Sequence, residues 1–412
     1  MGTDGAIQGT RRQGEGSGPL TVSVHASFDE LAPLALEWDE LAERAGADVY
    51  ATFDWCRTWW EFYGAGRHLR VALARSGGEL VGILPFFRET LWIGGLPARL
   101  FRLVGCDHSV STTGVVIKEG LAKDVIAAWA AGLGTGWDAI HLGPLAGYNT
   151  LWRDVASALQ GVFDNCHVRV KDDAGPQIVF ELPGSFDQYL ARLSKKERSN
   201  MLRKEKLLRQ EHEVTHRVRT GPREVVDAYA RFMWLHQALW KGKGRLGHFG
   251  DWPRSKEFHE ALVRRLSEKG HVLFFELEVD GEVAASKYCF LFGRRIHTFM
   301  TGRDDREAFE NYSLGTVVFA ALVEHAITSG VTTMDAMRGY YDYKVRQGGT
   351  VMPLKTITVV RHKARSRVAM KTLELASWLL HTGYYRLWFK RISNWRWLPK
   401  GPLWPLWIRS RL

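Results

Sequence analysis

The sequence of 412 residues contains no apolar run that approaches the ~18 residues needed for a membrane-spanning helix. Its first twenty residues also lack the apolar core of a secretory signal peptide. Residues 1–19 are instead Gly-rich and polar, without periodicity, which predicts a disordered leader. We therefore expect a protein that is made and kept in the cytoplasm.

Cysteine is scarce, and no CxxC pair occurs among the four residues Cys56, Cys106, Cys166 and Cys289. This spacing favours free core thiols over a disulfide framework or a zinc site. Cys106-Asp107-His108 comes closest to a metal or nucleophile element, but no second ligand cluster accompanies it in the sequence. We therefore expect no bound metal.

Acidic residues are almost missing from the end of the chain. Residues 361–412 hold twelve Lys and Arg and a single acid, Glu374, so their net charge of +11 equals that of the whole chain. The same segment contains six Trp: Trp378, Trp388, Trp395, Trp397, Trp404 and Trp407. Trp with Lys and Arg is typical of an anionic membrane surface. Two other interpretations stay open, a helix packed on the protein with its basic face in water and a nucleic-acid surface.

The rest of the composition is that of a folded chain, with 45% apolar and 25% charged residues and 17 Trp. A chain of this length exceeds one hydrophobic core, so about two domains are expected. In the second half, apolar periodicity predicts helices over 185–211, 222–240 and 255–269, strands over 273–279, 282–292 and 295–301, a helix over 314–328 and a strand over 332–337. Asp280-Gly281 joins the first two strands as a hairpin turn.

The first half repeats this order, with a strand, turn and strand over 69–87, a helix over 121–133 and a strand over 138–142. Gly78-Glu79-Leu80-Val81 resembles Gly281-Glu282-Val283-Ala284, 203 residues later, which suggests a tandem duplication. The predicted fold class is α/β, with two tandem domains that each form a mixed, mainly antiparallel sheet flanked by helices. The predicted domains are 20–170 and 171–362, followed by a basic, Trp-rich helical tail over 363–412.

Polar chemistry is concentrated behind the last predicted strand. The stretch Met334–Lys344, MDAMRGYYDYK, holds two acids, two bases and three tyrosines, whereas the first copy continues as Gly143-Pro144-Leu145. In the loop before the last helix, Gly315 would let a phosphate approach the free N–H groups of the helix N-terminus, and Ser313 can cap that helix. The working site is therefore expected in the second half.

These elements, over about residues 22–362, resemble the acetyltransferase-like proteins of the cellulose-biosynthesis CelD type. That family belongs to the GNAT superfamily and is similar in plan to the FemAB aminoacyl-tRNA-dependent peptide-bridge enzymes. The residues that carry the resemblance are Ser185-Phe186-Asp187-Gln188-Tyr189-Leu190, Trp240, the Asp280-Gly281 hairpin, Tyr312-Ser313-Leu314-Gly315 and Gly339 with Tyr343-Lys344.

The resemblance implies two tandem GNAT-like folds and transfer of an acyl group from a thioester, usually on coenzyme A, to an amine or a hydroxyl. It implies that the pyrophosphate arm is held by Tyr312, Ser313, Leu314, Gly315 and Thr316. The chain departs from the GNAT signature Arg/Gln-x-x-Gly-x-Gly, because Tyr312 stands at its first place and Val317 at its second glycine.

Acyl transfer needs a base, a positive group for the oxyanion and an acid for the leaving thiolate. Asp335 could act as the base or orient Arg338, and His297 on the neighbouring strand is a second candidate base. Lys344 could stabilise negative charge, as the resemblance implies. The acid and acceptor-site candidates are Tyr343, Tyr341, Trp240 and Arg338. The alternative for these residues is structural, as a salt bridge closing the loop or as edge packing.

The predicted function is acyl transfer from acetyl-CoA or another acyl-CoA to a saccharide, exopolysaccharide or cell-envelope precursor within a ternary complex. Two alternatives are kept. A FemAB-like enzyme would use aminoacyl-tRNA, the one case in which a nucleic-acid partner is expected. A non-enzymatic protein would serve as a membrane-associated scaffold for polysaccharide synthesis.

Overall fold

The computed structural model describes residues 19–412 except 94, 109–111, 173–174, 243–246, 252 and 393–402. The chain forms two compact units, one comprising the chain up to Ala174 together with Pro353–Leu412, the other Gly175–Met352. The predicted leader, residues 1–19, lies outside the described residues except for Pro19.

The first unit begins with seven strands and four helices. The strands are β1 Leu20–His25, β2 His68–Ser76, β3 Glu79–Ile93, β4 Leu96–Leu103, β5 Val116–Ile117, β6 Ala139–Leu145 and β7 Cys166–Asp172. The helices are α1 Ala35–Arg44, α2 Phe53–Tyr63, α3 Ala122–Ala131 and α4 Leu151–Val162.

The second unit follows, and the chain then returns to the first. Strands of the second unit are β8 Gln177–Glu181, β9 Val214–Arg219, β10 Val272–Val279, β11 Glu282–Phe292, β12 Arg295–Arg303, β13 Thr333–Arg338 and β14 Thr350–Met352. Its helices are α5 Phe186–Arg192, α6 Lys195–Glu211, α7 Pro222–Gly242, α8 His248–Asp251, α9 Ser255–Glu268, α10 Leu314–Thr328 and α11 Asp342–Arg346. The returning segment forms β15 Lys355–Arg361, α12 Ala364–Leu379, a π-helical stretch Leu380–Ile392 and α13 Leu403–Ser410.

The two sheets follow one plan. The first has the order β1-β2-β3-β4-β6-β15-β7, with β5 on β3, and the second has the order β9-β10-β11-β12-β13-β8-β14. In each, a hairpin and a third strand run antiparallel, a helix crosses over, and the fourth strand pairs in parallel with the third. The same order of elements in both units agrees with the tandem duplication suggested by the sequence.

The predicted second domain, 171–362, would include the strand β15, but β15 belongs to the first unit. It pairs with β6 and β7 of the first sheet, and its residues Ile357 and Val359 lie in the core of that unit. It fills the place that β8 fills in the second sheet. The predicted separate tail, 363–412, also belongs to the first unit.

The helix predicted over 185–211 is two helices, α5 and α6. Ser185 and Ser194 each accept a hydrogen bond from a backbone N–H three residues on, at 3.2 Å, and so cap the two N-termini. The hairpin turn is as predicted, because Asp280 and Gly281 both have positive φ, 53° and 83°. The crossover helix α10 begins and ends at the predicted residues.

The core of the second unit lies between its sheet and α10. Ten of the fifteen residues of α10 are buried, which explains why this helix is apolar all round. The opposite face of the sheet is covered by α7, because Phe274 contacts Phe232 of α7 while the next residue, Phe275, contacts His325 of α10.

Candidate active site

Two parallel strands separate at the centre of the second sheet. β12 and β13 pair at only three positions, the last being His297 opposite Asp335. Just beyond it, Phe299 is an extra residue of a β-bulge in the pairing of β12 with β11. A bulge bends its strand and ends regular pairing. The two strands therefore stop pairing and diverge after His297 and Asp335.

Asp335 lies at the point of divergence and is fully buried. Its carboxylate is 3.1 Å from Nδ1 of His297 and accepts hydrogen bonds from the side chain of Gln177 and the N–H of Met337. His297 is also fully buried. The sequence therefore correctly places these two residues on neighbouring strands, but neither side chain has surface exposed to a substrate.

The N-terminus of α10 lies next to Arg303 of β12. Ser313 is in the left-handed region, with φ 53°, and its side chain makes no capping hydrogen bond, so its predicted capping role is wrong. Among the described residues, no group accepts from the N–H of Leu314 or Gly315, since the first backbone bond of α10 runs from Thr316 to Ser313. A Cβ on Gly315 would lie 3.8 Å from Nη1 of Arg303. This end of the helix thus offers two N–H donors next to a guanidinium.

Two residues of the predicted loop, Tyr312 and Leu314, have side chains that pack in the hydrophobic core. Tyr312 is buried and donates its hydroxyl to Glu211 at 2.6 Å, and this hydrogen bond raises the pKa of Tyr312. The side chain of Leu314 is part of the hydrophobic core. Of the predicted loop, Leu314 and Gly315 offer free backbone N–H groups to a ligand, and Ser313 and Thr316 are half-buried.

Lys344 lies on α11, directly after β13. Its ammonium donates to the carbonyl oxygen of Ala336 at 2.6 Å and lies 4.6 Å from the ring centroid of Tyr341. Tyr341 and Tyr343 are about half exposed, with ring centroids 5.8 Å apart. Partial burial raises the pKa of Tyr343, which keeps its hydroxyl protonated and able to donate. The structure therefore brings three of the predicted residues together.

Lys287 on β11 is a residue that the sequence reasoning missed. It pairs opposite Phe275, which places it on the α10 face of the sheet, and its ammonium lies 5.3 Å from the ring centroid of Phe319. Among the described residues, no carboxylate pairs with it. Burial lowers the pKa of Lys287 to about 8. Burial and the neighbouring charge of Lys287 also lower the pKa of Lys344 to about 8.

Arg303 is a second residue that the sequence reasoning missed. Its guanidinium lies next to Gly315. Its positive charge also acts to lower the pKa of Tyr343, against the effect of burial, which places the guanidinium near α11. Three cations therefore lie around the diverging strands: Lys287, Arg303 and Lys344. Alternation along β11 would have located Lys287 on one face, but its burial depends on α10.

Two other predicted residues have different neighbours. Trp240 is on α7, next to His236 and Gly247, and therefore on the opposite side of the sheet from α10. Arg338 ends β13 opposite Gln177, and its guanidinium lies beside Gly175.

At the corresponding strands of the first unit, buried charged side chains pair with one another. Arg102 stands at the last parallel pair of β4 and β6, opposite His141. Its guanidinium bonds Glu89 at 2.8 Å and Asp107 at 3.3 Å, and it donates to the carbonyl oxygens of Arg409 and Arg411 at the end of the chain. The side chains of Arg102, Glu89 and Asp107 are buried, so the charge of Arg102 is neutralised by the unit's own carboxylates.

The first unit also has an open pocket, whose lining includes Asp48, Thr113, Leu145, Asn149 and Trp152. The carboxylate of Asp48 already accepts from Tyr148 at 2.6 Å and from Thr112 at 3.3 Å. The pocket therefore offers aromatic and apolar surface, and the carboxylate of Asp48 is already hydrogen-bonded within the protein.

Within the described residues, no cluster of His, Cys, Asp or Glu has the arrangement of a metal site. The family model for the GNAT acetyltransferase domain matches residues 195–345. A search of curated proteins finds no match.

Solved structures match over a larger part of the chain than the family model does. The crystal structure of FemX matches with a TM-score of 0.57 at 12% identity, over 84% of this chain and 98% of that chain. Weaker likenesses include the C-terminal domain of a putative lysylphosphatidylglycerol synthetase from Agrobacterium fabrum, with a TM-score of 0.47 at 12% identity over 85% and 96% of the two chains. A conserved protein of unknown function from Bacteroides thetaiotaomicron gives 0.46 at 10% identity over 82% and 100%. The predicted fold class, two tandem GNAT-like α/β units, is confirmed.

Proposed function

We propose that the second unit is the catalytic domain of an acyltransferase, which transfers an acyl group from an acyl-CoA thioester to an amine or hydroxyl. The observation that carries this proposal is the divergence of β12 and β13, with Lys287, Arg303 and Lys344 around it. Acyl transfer develops negative charge on the carbonyl oxygen and then on the leaving sulfur. Fixed, partly buried cations stabilise that charge more than they would in water.

The donor's phosphates fit the N-terminus of α10. The free N–H groups of Leu314 and Gly315 point out of the helix, and the guanidinium of Arg303 lies beside them. Helix N-termini bind phosphate through such donors and through the helix dipole. Arg adds charge-assisted hydrogen bonds. Gly315 keeps this approach open because it has no side chain.

At the reacting group, Lys344 is held by the carbonyl of Ala336 and stabilises developing negative charge. Tyr343 gives its proton to the leaving sulfur as the C–S bond breaks, and it takes up the proton that the attacking amine or hydroxyl releases as the new acyl bond forms. Asp335 and His297 are predicted bases, but both are enclosed in the sheet. In this proposal they position the two strands at the point where these diverge. Gln177 and the N–H of Met337 hold the Asp335 carboxylate in place.

The acceptor is proposed to be a saccharide, exopolysaccharide or cell-envelope precursor. This part rests on the resemblance to the CelD-type family. The first unit is proposed to be non-catalytic, because Arg102 is neutralised there by Glu89 and Asp107. In the second unit, Lys287, Arg303 and Lys344 have no carboxylate partner among the described residues.

Calorimetric titration with acetyl-CoA and longer acyl-CoAs tests the donor. We expect micromolar binding that is lost in Gly315→Trp, whose side chain would fill the space beside Arg303. Gly161→Trp is the matched control, since Gly161 is an exposed helical position of the first unit with nothing within 4 Å of its Cβ position. Binding that survives in Gly315→Trp, or that is lost in both variants, would contradict the proposed donor site.

A second candidate is a FemAB-like transferase that uses aminoacyl-tRNA, and the likeness to FemX favours keeping it. A tRNA phosphate would suit the same N-terminus of α10. Such an enzyme would bind tRNA with an affinity that falls steeply with salt and would not bind acyl-CoA. A scaffold, the non-enzymatic alternative, would keep its cellular phenotype in Lys344→Ala.

A further inference from the structure

The returning segment of the first unit has an inner face that packs on the protein. Ala369, Met370 and Leu373 of α12 join Leu91 and Leu100 of the sheet in one core cluster. Two of the six Trp expected to anchor in a membrane, Trp404 and Trp407, are buried. In the π-helical stretch, Tyr385 stacks on Trp407, and Phe389 packs at an angle against Trp404. Trp395 and Trp397 lie outside the described residues.

The outer face of α12 is apolar and exposed. Val368, Leu375, Trp378 and Leu379 are 51%, 58%, 60% and 54% exposed. Their spacing of seven, ten and eleven residues places them on one side of the helix. Leu387, in the π-helical stretch, is 51% exposed as well. Contiguous apolar surface of this kind marks an interaction site.

The tip of the β3–β4 hairpin extends this surface. Trp92 is 68% exposed and Leu96 is 37% exposed. Trp92 pairs opposite Pro97, whose carbonyl oxygen accepts from Arg365 of α12 at 3.3 Å. The hairpin tip therefore adjoins the N-terminal end of α12 in the same unit.

Cations accompany the exposed apolar side chains. Five of them have no carboxylate partner among the described residues: Lys363, Arg367, Lys371, Arg386 and Arg391. The single acid of the segment, Glu374, is bound by Arg169 of β7 at 2.7 Å. The surface therefore presents positive charge without its own counterions.

We propose that the outer face of α12 and the tip of the β3–β4 hairpin together dock the protein on an anionic lipid surface. An interfacial surface of this kind inserts Trp and Leu to the level of the headgroups while Lys and Arg meet the anionic lipids. A second copy of the chain is a poor occupant, because a symmetric contact would bring these cations against one another. Within the described residues, no helix has the length and apolarity needed to cross a membrane.

Sedimentation of the full chain with vesicles tests this proposal. The probes are vesicles of phosphatidylcholine alone and of phosphatidylcholine with about one third phosphatidylglycerol. We expect binding to the anionic vesicles that weakens with salt, because surface charges are screened. The double variant Trp378→Ser/Leu379→Ser should lower the affinity by roughly tenfold or more, from the loss of two inserted apolar side chains.

Matched controls separate this surface from general effects. Trp234→Ser changes a Trp that is 67% exposed in the second unit, and it should bind vesicles like the wild type. Arg367→Glu/Lys371→Glu should abolish the preference for anionic vesicles, whereas Lys123→Glu, at an exposed position of α3, should leave most of it. Acyl-CoA binding should be unchanged in all of these variants.

Three outcomes would overturn the proposal. The first is wild-type protein that does not sediment with anionic vesicles, and the second is an equal loss in Trp234→Ser and Trp378→Ser/Leu379→Ser. The third is a concentration-dependent dimer that Trp378→Ser/Leu379→Ser abolishes, which would identify a second copy as the occupant.

Discussion

Lys287→Met should make the protein more stable while it lowers activity. Burial lowers the pKa of Lys287 from 10.5 to about 8, so the folded state disfavours its charge. At about 1.4 kcal/mol for each pKa unit, such a lowering would correspond to about 3 kcal/mol for a fully enclosed group. The side chain is only half-buried and partly screened by solvent, which reduces the expected gain to about 1–2 kcal/mol. Met keeps the length of the side chain and its contact with Phe319.

The gain should depend on pH with a definite sign. Below pH 8 Lys287 is charged in both states and the full penalty is present. As the pH rises from about 8 to 10.5, the folded protein has released this proton while the unfolded chain still holds it, so wild-type stability increases. The difference between Lys287→Met and the wild type should therefore be largest at pH 7 and disappear above about pH 10.5.

Urea unfolding at pH 7 and pH 9.5, together with acyl transfer at pH 7, measures both effects. Lys123→Met, which removes an exposed lysine of the first unit, is the matched control and should change neither. A Lys287→Met variant that is less stable than the wild type would refute this reasoning, as would a stability gain of the same size at both pH values.

Three further predictions concern single side chains. Arg303→Gln should weaken acyl-CoA binding by about tenfold in calorimetry, because a charge-assisted contact at the N-terminus of α10 is lost, and full affinity in this variant would exclude that contact. Asp335→Asn should lower the unfolding free energy by about 1–3 kcal/mol, because buried donors lose their acceptor; unchanged stability with kcat reduced a hundredfold or more would identify a general base instead. Glu89→Gln should cost about 3–5 kcal/mol in urea unfolding, because it leaves the two buried guanidiniums of Arg67 and Arg102 to share the single carboxylate of Asp107. Its control Glu79→Gln, at an exposed ion pair, should cost far less, and equal losses would argue against the network.

The local features of the fold could be predicted from sequence. Asp280-Gly281 specifies its turn by backbone preference alone, and the apolar run of α10 with Gly330 behind it locates both ends of that helix. The break between α5 and α6 was also present in the sequence, as Ser194 followed three residues later by Glu197. A charged, continuous helical pattern concealed it.

Long-range features could not be predicted in this way. The pattern of β15 fits either sheet, and only its packing between β6 and β7 decides which one it joins. Lys287 looks like an ordinary strand lysine until α10 covers it. Asp335 and His297 were expected to be reactive from their residue types, but the pairing register turns them towards each other inside the sheet.

Hydrogen exchange of the full chain with and without acetyl-CoA tests most directly the claim that the second unit holds the acyl donor. We expect slower exchange at the start of α10, above all at the free N–H groups of Leu314 and Gly315, and in the diverging part of β12. The corresponding first-unit elements, α3 and the end of β4, should be unchanged. Protection confined to the first unit, or no protection at saturating acetyl-CoA, would contradict it.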